Sequence, residues 1–328
     1  MRAITLSSFG PADHLVLAEA PDPVPTEGQV RVRVAASGVH LVDTRLRRGE
    51  PAGPARAPDL PAVLGREVAG TVDAVGDGVD GGWLGRRVVA HLGAVASAGG
   101  YAELAVAPAA SLHPVPDELT PEAAVAMVGT GRTALAVLDT VTPGPADVVL
   151  VLAAAGGLGT LFTQEALAVG ATVVGLAGGP EKVDRVRALG AQIAVDYRKE
   201  DWPAAVSAAL GPERAPTVVL DGVGGQLGRR ALELLGPGGR LAMYGWASGV
   251  GPTEITTADL VGRGLTASWG LGALRRPGAL RELEERALRA AATGRLRPEL
   301  TTFPLAEAAA SHRALEERRT VGKVVLLP

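Results

Sequence analysis

The chain of 328 residues contains no cysteine. That excludes disulfides, thiolate catalysis and cysteine-ligated structural zinc. Aromatic residues make up only 3% of it, so a tryptophan at the end of a predicted strand is worth following. Lysine is almost as scarce, with Lys182, Lys199 and Lys323 alone in a chain rich in arginine. No strong charge bias exists either. The net charge is −3 and the arginines are interspersed with acids, which argues against a nucleic-acid partner. No signal peptide's apolar core and cleavage site comes after Met1, so the expectation is a cytoplasmic protein. Val148–Gln164 is long and uncharged, but its central glycines and Glu165 just beyond mark buried sheet core rather than a membrane span. With 47% apolar and 20% charged residues, a soluble globular protein of about two domains is implied.

The most informative stretch present is Val148–Gly159, V-V-L-V-L-A-A-A-G-G-L-G. A continuous apolar run is what a strand buried on both faces of a parallel sheet requires, and glycines at its end let a helix begin close against it. The N-terminus of that helix offers unpaired N–H groups and a partial positive charge to a pyrophosphate, and a side chain at Gly156 or Gly157 would hold the phosphates away. The glycine pattern alone also fits a turn kept for packing. The next forty residues favour the dinucleotide, with a helix over Leu158–Val169 closed by Gly170, a strand at Thr172–Ala177, and a helix over Pro180–Leu189 closed by Gly190. Strands at Ile193–Val195, Thr217–Leu220 and Gly239–Gly245 alternate with helices near Pro203–Leu210 and Gln226–Leu235. That rhythm predicts an α/β, doubly wound parallel sheet of the Rossmann kind.

The second strand ends in Gly175-Leu176-Ala177-Gly178-Gly179. An unphosphorylated adenosine ribose usually meets an Asp or Glu about 20 residues past the glycines. No carboxylate stands at this strand end, so a 2′-phosphate meets no repulsion and Gly178 lines an open shelf. Lys182, one turn into the next helix, reaches the phosphate in this reading, worth roughly 1.5–3 kcal/mol or about tenfold to a hundredfold preference for NADPH. The alternatives are an ordinary solvated helix lysine, and a Glu181 that reclaims a ribose hydroxyl.

The N-terminal part is β-rich. Val30-Arg31-Val32-Arg33-Val34 alternates with period two, and Val68–Val75 and Arg87–Ala90 read as further strands. Pro-rich connectors at Ala20–Pro25 and Pro51–Pro61 read as ordered loops. Thr120-Pro121-Glu122 offers an N-cap, an N1 proline and a first-turn acid. Near the other end, Leu280–Ala292 and Leu305–Arg318 look helical, and Lys323–Leu327 reads as a closing strand.

Taken in order, these residues resemble the medium-chain dehydrogenase/reductases, and within them the zinc-free quinone oxidoreductases related to zeta-crystallin. The resemblance runs nearly end to end. It rests on Gly38-Val39-His40-Leu41-Val42-Asp43-Thr44 with Gly49, Leu64-Gly65-Arg66-Glu67-Val68-Ala69-Gly70, Gly129–Ala134, Ala153–Gly159, Asp196-Tyr197-Arg198, Asp221-Gly222-Val223-Gly224 and Val321-Gly322-Lys323-Val324-Val325. It implies a GroES-like substrate domain from both chain ends (residues 1–121 and 269–328), a Rossmann domain between them (122–268), a cleft where they meet, and a homodimer.

By the same resemblance, backbone at Gly156, Gly157 and Leu158 holds the pyrophosphate, Lys182 and Tyr197 the adenosine phosphate, and the Asp221–Val223 strand end the adenine side. Thr130, Thr133, Gly245, Gly322 and Lys323 surround the nicotinamide and its ribose. Tyr197 has a competing role as a capping aromatic at the sheet edge. Zinc-dependent relatives place a cysteine where His40 stands and a histidine where Arg66 stands. A guanidinium cannot ligate zinc, so no metal is expected.

Departures from the family occur at the catalytic positions, where Asn is common in place of His40 and Tyr in place of Arg45. Hydride transfer to an activated C=C or C=O needs charge stabilisation and then a proton. His40 can supply the proton at neutral pH and Arg45 the charge. The competing readings are a His40 that only hydrogen-bonds within the cleft wall and an Arg45 that faces solvent like Arg47 and Arg48. Trp246, after Gly245, is read as a stacking surface near the cofactor for an aryl or polyketide-like substrate, or as core; Trp269 as core packing or a dimer contact. The resulting expectation is an NADPH-dependent reductase of quinones, enones or other α,β-unsaturated carbonyl compounds. A tailoring enzyme with altered chemistry, such as cyclisation or enoyl-thioester reduction, and a catalytically silent NADPH-binding protein are the alternatives. Substrate shape is set by loops at Leu41–Leu60, Leu92–Gly100 and Ala247–Gly251.

Overall fold

The computed structural model describes residues 1–51, 56–93 and 99–328. Parts of the Pro51–Pro61 and Leu92–Gly100 connectors therefore lie outside the described residues. The chain forms two compact units, residues 1–131 with 284–328, and residues 132–283.

The first unit opens with β1 (Arg2–Leu6), β2 (Leu15–Glu19), β3 (Gln29–Val39), α1 (Leu41–Arg47), β4 (Ala62–Val63), β5 (Glu67–Val75), β6 (Arg87–His91), β7 (Leu104–Pro108), β8 (Leu112–Pro114) and α2 (Pro121–Ala126). The second unit contributes α3 (Arg132–Val141), β9 (Val148–Val151), α4 (Gly157–Ala168), β10 (Thr172–Ala177), α5 (Pro180–Ala188), β11 (Ile193–Asp196), α6 (Trp202–Leu210), β12 (Val218–Asp221), α7 (Gly225–Leu234), β13 (Arg240–Met243), α8 (Thr257–Arg263) and β14 (Thr266–Trp269). The chain returns through α9 (Ala279–Ala292) to β15 (Leu300–Pro304), α10 (Ala308–Glu316) and β16 (Lys323–Leu327).

Alternation along β3 works as the sequence predicts. Val30, Val32 and Val34 are buried, and the first two share an apolar cluster with Val72, Val88, Ala90, Ala107 and Leu112. Arg31 and Arg33 both reach Asp73 on neighbouring β5, at 2.8 and 3.2 Å. In the larger sheet the order is β15-β16-β3-β5-β6-β8, with β7 also pairing β3. Its registers matter for the site: Val39 faces Val324, Ser37 faces Val68, and Glu67 faces His91. The segment after His40 is a helix, α1, and not the loop that the sequence suggested. The Asp43 carboxylate accepts the His40 N–H at 2.8 Å, closing the N-terminus of a helix too short for its periodicity to show.

The second unit is a six-stranded parallel sheet in the order β11-β10-β9-β12-β13-β14. Direction of winding reverses between β9 and β12, which makes the carboxyl end of β9 the topological switch point. All four residues of β9 are buried, as a doubly covered strand requires. Val148–Gln164 is thus a strand, a turn and most of a helix. Thr120 caps α2 through its side chain, accepting from Ala123 N at 3.2 Å. The helix expected over Leu305–Arg318 begins with a 3-10 turn, Leu305–Glu307, before α10.

Candidate functional site

Past β9 the backbone turns sharply at Ala153, whose φ is +54°, and reaches Gly156 as the N-cap of α4. The first amide to find an intrahelical carbonyl is Thr160, bonded to Gly156 O at 2.9 Å. Gly157, Leu158 and Gly159 therefore present the amides of an open helix N-terminus. The glycines have different reasons to be there. A Cβ at Gly159 would collide with Ala153 O and the Ala154 backbone, so only glycine lets α4 start this close to β9. A Cβ at Gly156 would meet Ala153 O alone, at 3.3 Å. Space, and not packing, is what Gly156 provides.

At the end of neighbouring β10 the chain runs through Gly178 and Gly179. Strand pairing sets Ala177 beside Asp196, so Tyr197 and Arg198 leave β11 next to this shelf. The Tyr197 hydroxyl lies 2.7 Å from where a Cβ on Gly178 would be, and the Arg198 guanidinium covers Gly179. Asp196 Oδ1 accepts from Gly179 N and Arg198 N, both at 3.0 Å, and takes the Arg198 Nε at 3.3 Å. Partial burial pushes the Asp196 carboxyl up, but these donors outweigh it and hold the group below its usual range. Lys182 is half-buried in the first turn of α5. Arg198 is a cation that the sequence reading named only within the Asp196-Tyr197-Arg198 motif and gave no role; its signal was a basic residue soon after the strand that flanks the shelf.

Asp221, at the end of β12, is fully buried. Its carboxylate accepts from Val223 N at 2.8 Å, Gly224 N at 2.9 Å and the Thr253 hydroxyl at 2.5 Å. It orders the turn from within, with Val223 also in the core, so what this strand end offers outward is backbone. Gly245 lies against Gly222 O, at 3.3 Å from its would-be Cβ. The next residue, Trp246, stacks on Trp269 with ring centroids 5.7 Å apart and planes tilted by 35°. Both indoles are about 40% exposed, neither being core. Ala247 N and Ser248 N bond to Gly222 O and Val223 O, which pins this loop to the end of β12.

The first unit holds the other cluster. Antiparallel pairing of Val39 with Val324 brings His40 beside Lys323, and β5 delivers Glu67 to the same spot. His40 Nε2 lies 2.7 Å from Lys323 Nζ and 2.7 Å from Glu67 Oε2, while Lys323 Nζ donates to Glu67 Oε2 at 3.2 Å. Glu67 and Lys323 are buried and the His40 side chain is 23% exposed. Two glycines make the room: a Cβ on Gly38 would stand 2.5 Å from Glu67 Oε2, and one on Gly129 would collide with Glu67 Oε1. Burial pushes the Glu67 carboxyl up, yet His40 and Lys323 overcome it and hold it well below the carboxylate range. Burial lowers both His40 and Lys323, against the pull of Glu67. Lys323 thus stands with His40 and Glu67, a grouping that 283 residues of separation hid.

Arg45 pairs with Glu50 at 3.4 Å and is more than a third exposed. Thr130 is buried in a π-helical turn, Met127–Gly131, and Thr133 is half-buried in α3. Gly322 has φ +69° and sits too close to Glu299 O for any side chain, so the turn leading into β16 accounts for it. Arg66, at the position of a zinc-ligating histidine in the resemblance, lies 3.5 Å from Asp43. Among the described residues no group of three or more His, Cys, Asp or Glu is placed to hold a metal ion.

Comparison with known proteins decides the kinship. Residues 26–117 match the alcohol dehydrogenase GroES-like domain and residues 157–286 the family described as zinc-binding dehydrogenase. The chain is 34% identical to a 2-haloacrylate reductase of Burkholderia, covering all of this chain and 99% of that protein. It is 33% identical to a quinone oxidoreductase of Pseudomonas aeruginosa, again over all of this chain and 99% of the relative. This chain belongs to the zinc-independent quinone oxidoreductases of the medium-chain dehydrogenase/reductase family. The Escherichia coli quinone oxidoreductase solved with NADPH superposes over the full length of both chains with TM-score 0.84 and 28% identity. The Rossmann sheet and the GroES-like β-rich unit that the sequence predicts are both present.

Proposed function

We propose that this protein is an NADPH-dependent, zinc-independent reductase that delivers hydride to the β-carbon of a quinone, an enone or another α,β-unsaturated carbonyl compound. The observation that carries the reading is the glycine corner at Gly156–Gly159, with the Tyr197 hydroxyl and the Arg198 guanidinium set against Gly178 and Gly179 after neighbouring β10 and Lys182 in the first turn of α5. The donor set fits the group. Three helix-start amides suit a pyrophosphate, and two cations with a phenol suit a 2′-phosphate. Bound NADPH supplies the hydride. The protein's own part is to hold the dinucleotide, with the carboxylate nearest the end of β10, Asp196, tied to Gly179 N and to Arg198, and to offer His40 as a proton source. The half-exposed Trp246 and Trp269 offer a planar ring a stacking surface. Kinship supports the substrate class: 2-haloacrylate is itself an α,β-unsaturated acid, and quinone reduction is named for several relatives. A homodimer and a cytoplasmic location belong to the same reading, on family grounds and on the expectation from the N-terminus, and are checked by light scattering and fractionation.

Loss of NADPH absorbance with a panel of quinones, enones and 2-haloacrylate tests this. Turnover with at least one class is expected. Tight cofactor binding with no turnover on any of them would contradict the reading, and product formed without net NADPH loss would point to altered chemistry instead.

A further inference from the structure

Arg66 is a cation without a hydrogen bond. Its side chain is only 15% exposed, and its Nε lies 3.5 Å from Asp43 Oδ1, close enough for an ion pair but not bonded. Among the described residues none of its N–H donors meets an acceptor. The segments outside them, 52–55 and 94–98, contain no Asp or Glu, so the sequence places no carboxylate there to serve it. Burying a guanidinium with its donors unmet is costly, and a group left so in a folded protein points to a ligand that meets it.

The backbone around Arg66 is fixed. Gly100 N bonds to Gly65 O at 3.0 Å and Leu92 N to Arg66 O at 2.8 Å. Gly65, at φ +95°, has no room for a Cβ because Tyr101 lies against it, backbone nitrogen included. That packing carries the Tyr101 hydroxyl to Asp43 Oδ2, to which it donates at 2.9 Å, and the His40 N–H donates to the same oxygen at 2.8 Å. Asp43 therefore holds His40 and Tyr101 on one oxygen and orients Arg66 with the other. The other cation of the cluster, Lys323, is paired with Glu67. Burial first, and the Arg66 charge with it, lowers His40 and Lys323, so the guanidinium acts on this same cluster.

We propose that Arg66 binds a carboxylate of the substrate and that the preferred substrate is an α,β-unsaturated acid. This rests on the proposed reductase reading and narrows it. A guanidinium offers parallel N–H donors to the two oxygens of a carboxylate, a match that an ammonium does not make. In a conjugated acid the carboxylate is attached to the α-carbon, the atom that takes the proton, and His40 is held by the same Asp43 that orients Arg66. When hydride from NADPH adds to the β-carbon, the displaced C=C electron pair moves onto the carboxylate, so the charge that Arg66 meets grows as the reaction proceeds. A proton at the α-carbon then gives the saturated acid and NADP⁺.

The acid 2-chloroacrylate and its methyl ester share the reacting alkene and differ in charge, so the ratio of their kcat/KM values reads the contact and cancels any general loss of folded enzyme. Wild type is expected to favour the acid. Arg66→Gln is expected to cut the acid-to-ester ratio about tenfold to a hundredfold, and Arg66→Lys, which keeps the charge but not the fork, by less. Calorimetric binding of 2-chloropropionate, the saturated acid, reads the site without turnover and is expected to weaken by about tenfold or more in Arg66→Gln. A wild type that reduces the ester but not the acid, or an unchanged ratio in Arg66→Gln, overturns the proposal. If neither alkene is reduced, yet 2-chloropropionate binds and Arg66→Gln weakens it, the reductase reading fails and the carboxylate site stands.

Discussion

The hydroxyl of Tyr197 occupies the space beside Gly178 that a Cβ would need, 2.7 Å from it. Glycine and tyrosine thus form one device, in which the missing side chain just past β10 lets the aromatic after β11 lie across the shelf. Arg198 does the same over Gly179.

Arg198→Ala is expected to lower the ratio of kcat/KM for NADPH over NADH by about tenfold to a hundredfold, the range for losing a charge-assisted phosphate contact. Lys182→Ala shifts the ratio in the same direction, and the double variant shifts it further. Steady-state kinetics with both cofactors checks this. An unchanged ratio in the double variant would remove this shelf from the phosphate site.

Gly159→Ala is expected to destabilise the protein by about 1–3 kcal/mol, because the new methyl meets backbone at Ala153 and Ala154 rather than a flexible side chain. Gly262→Ala is the contrast. That glycine lies inside α8 with nothing near its would-be Cβ, so alanine there is expected to add roughly 0.5–1 kcal/mol. Thermal unfolding of the two variants reads opposite signs.

His312 gives the fold a pH dependence. It is fully buried, hydrogen-bonds with the Tyr101 hydroxyl at 3.2 Å, and is lowered to about 4, chiefly by burial with a further push from Arg47. Its folded value is below the unfolded value of 6.5, so the unfolded chain binds more protons between the two. The contribution is fully present above about pH 6.5 and is lost as pH falls toward 4, on the order of 3 kcal/mol. His312→Gln is expected to flatten the fall in stability across that window, measured by denaturant unfolding from pH 7 to pH 4. An unaltered slope would show that other groups set it.

How much of this was legible depended on how local the cause was. The strands of the second unit showed because a doubly covered strand must be a continuous apolar run, and glycines bound each βα unit. β10 and β16 fall at the residues read from sequence, and most other ends shift by one or two. Helix α1 escaped notice because seven residues carry too little periodicity. The β14 strand did too, its four residues being half exposed at the sheet edge and so neither continuous nor alternating. Gly156, Lys182 and Tyr197 are proposed for the cofactor from their places on one βαβ repeat. The grouping of His40, Glu67 and Lys323 could not be read that way, because it is made by the antiparallel return of β16 onto β3, and pairing partners leave no mark on either strand alone.

Calorimetric titration of NADPH into the protein, with melting temperature tracked in parallel, tests the central claim most directly. Saturable heat, a raised melting temperature and weaker binding of NADH are the predicted results. No heat and no change in melting at saturating NADPH would contradict the account.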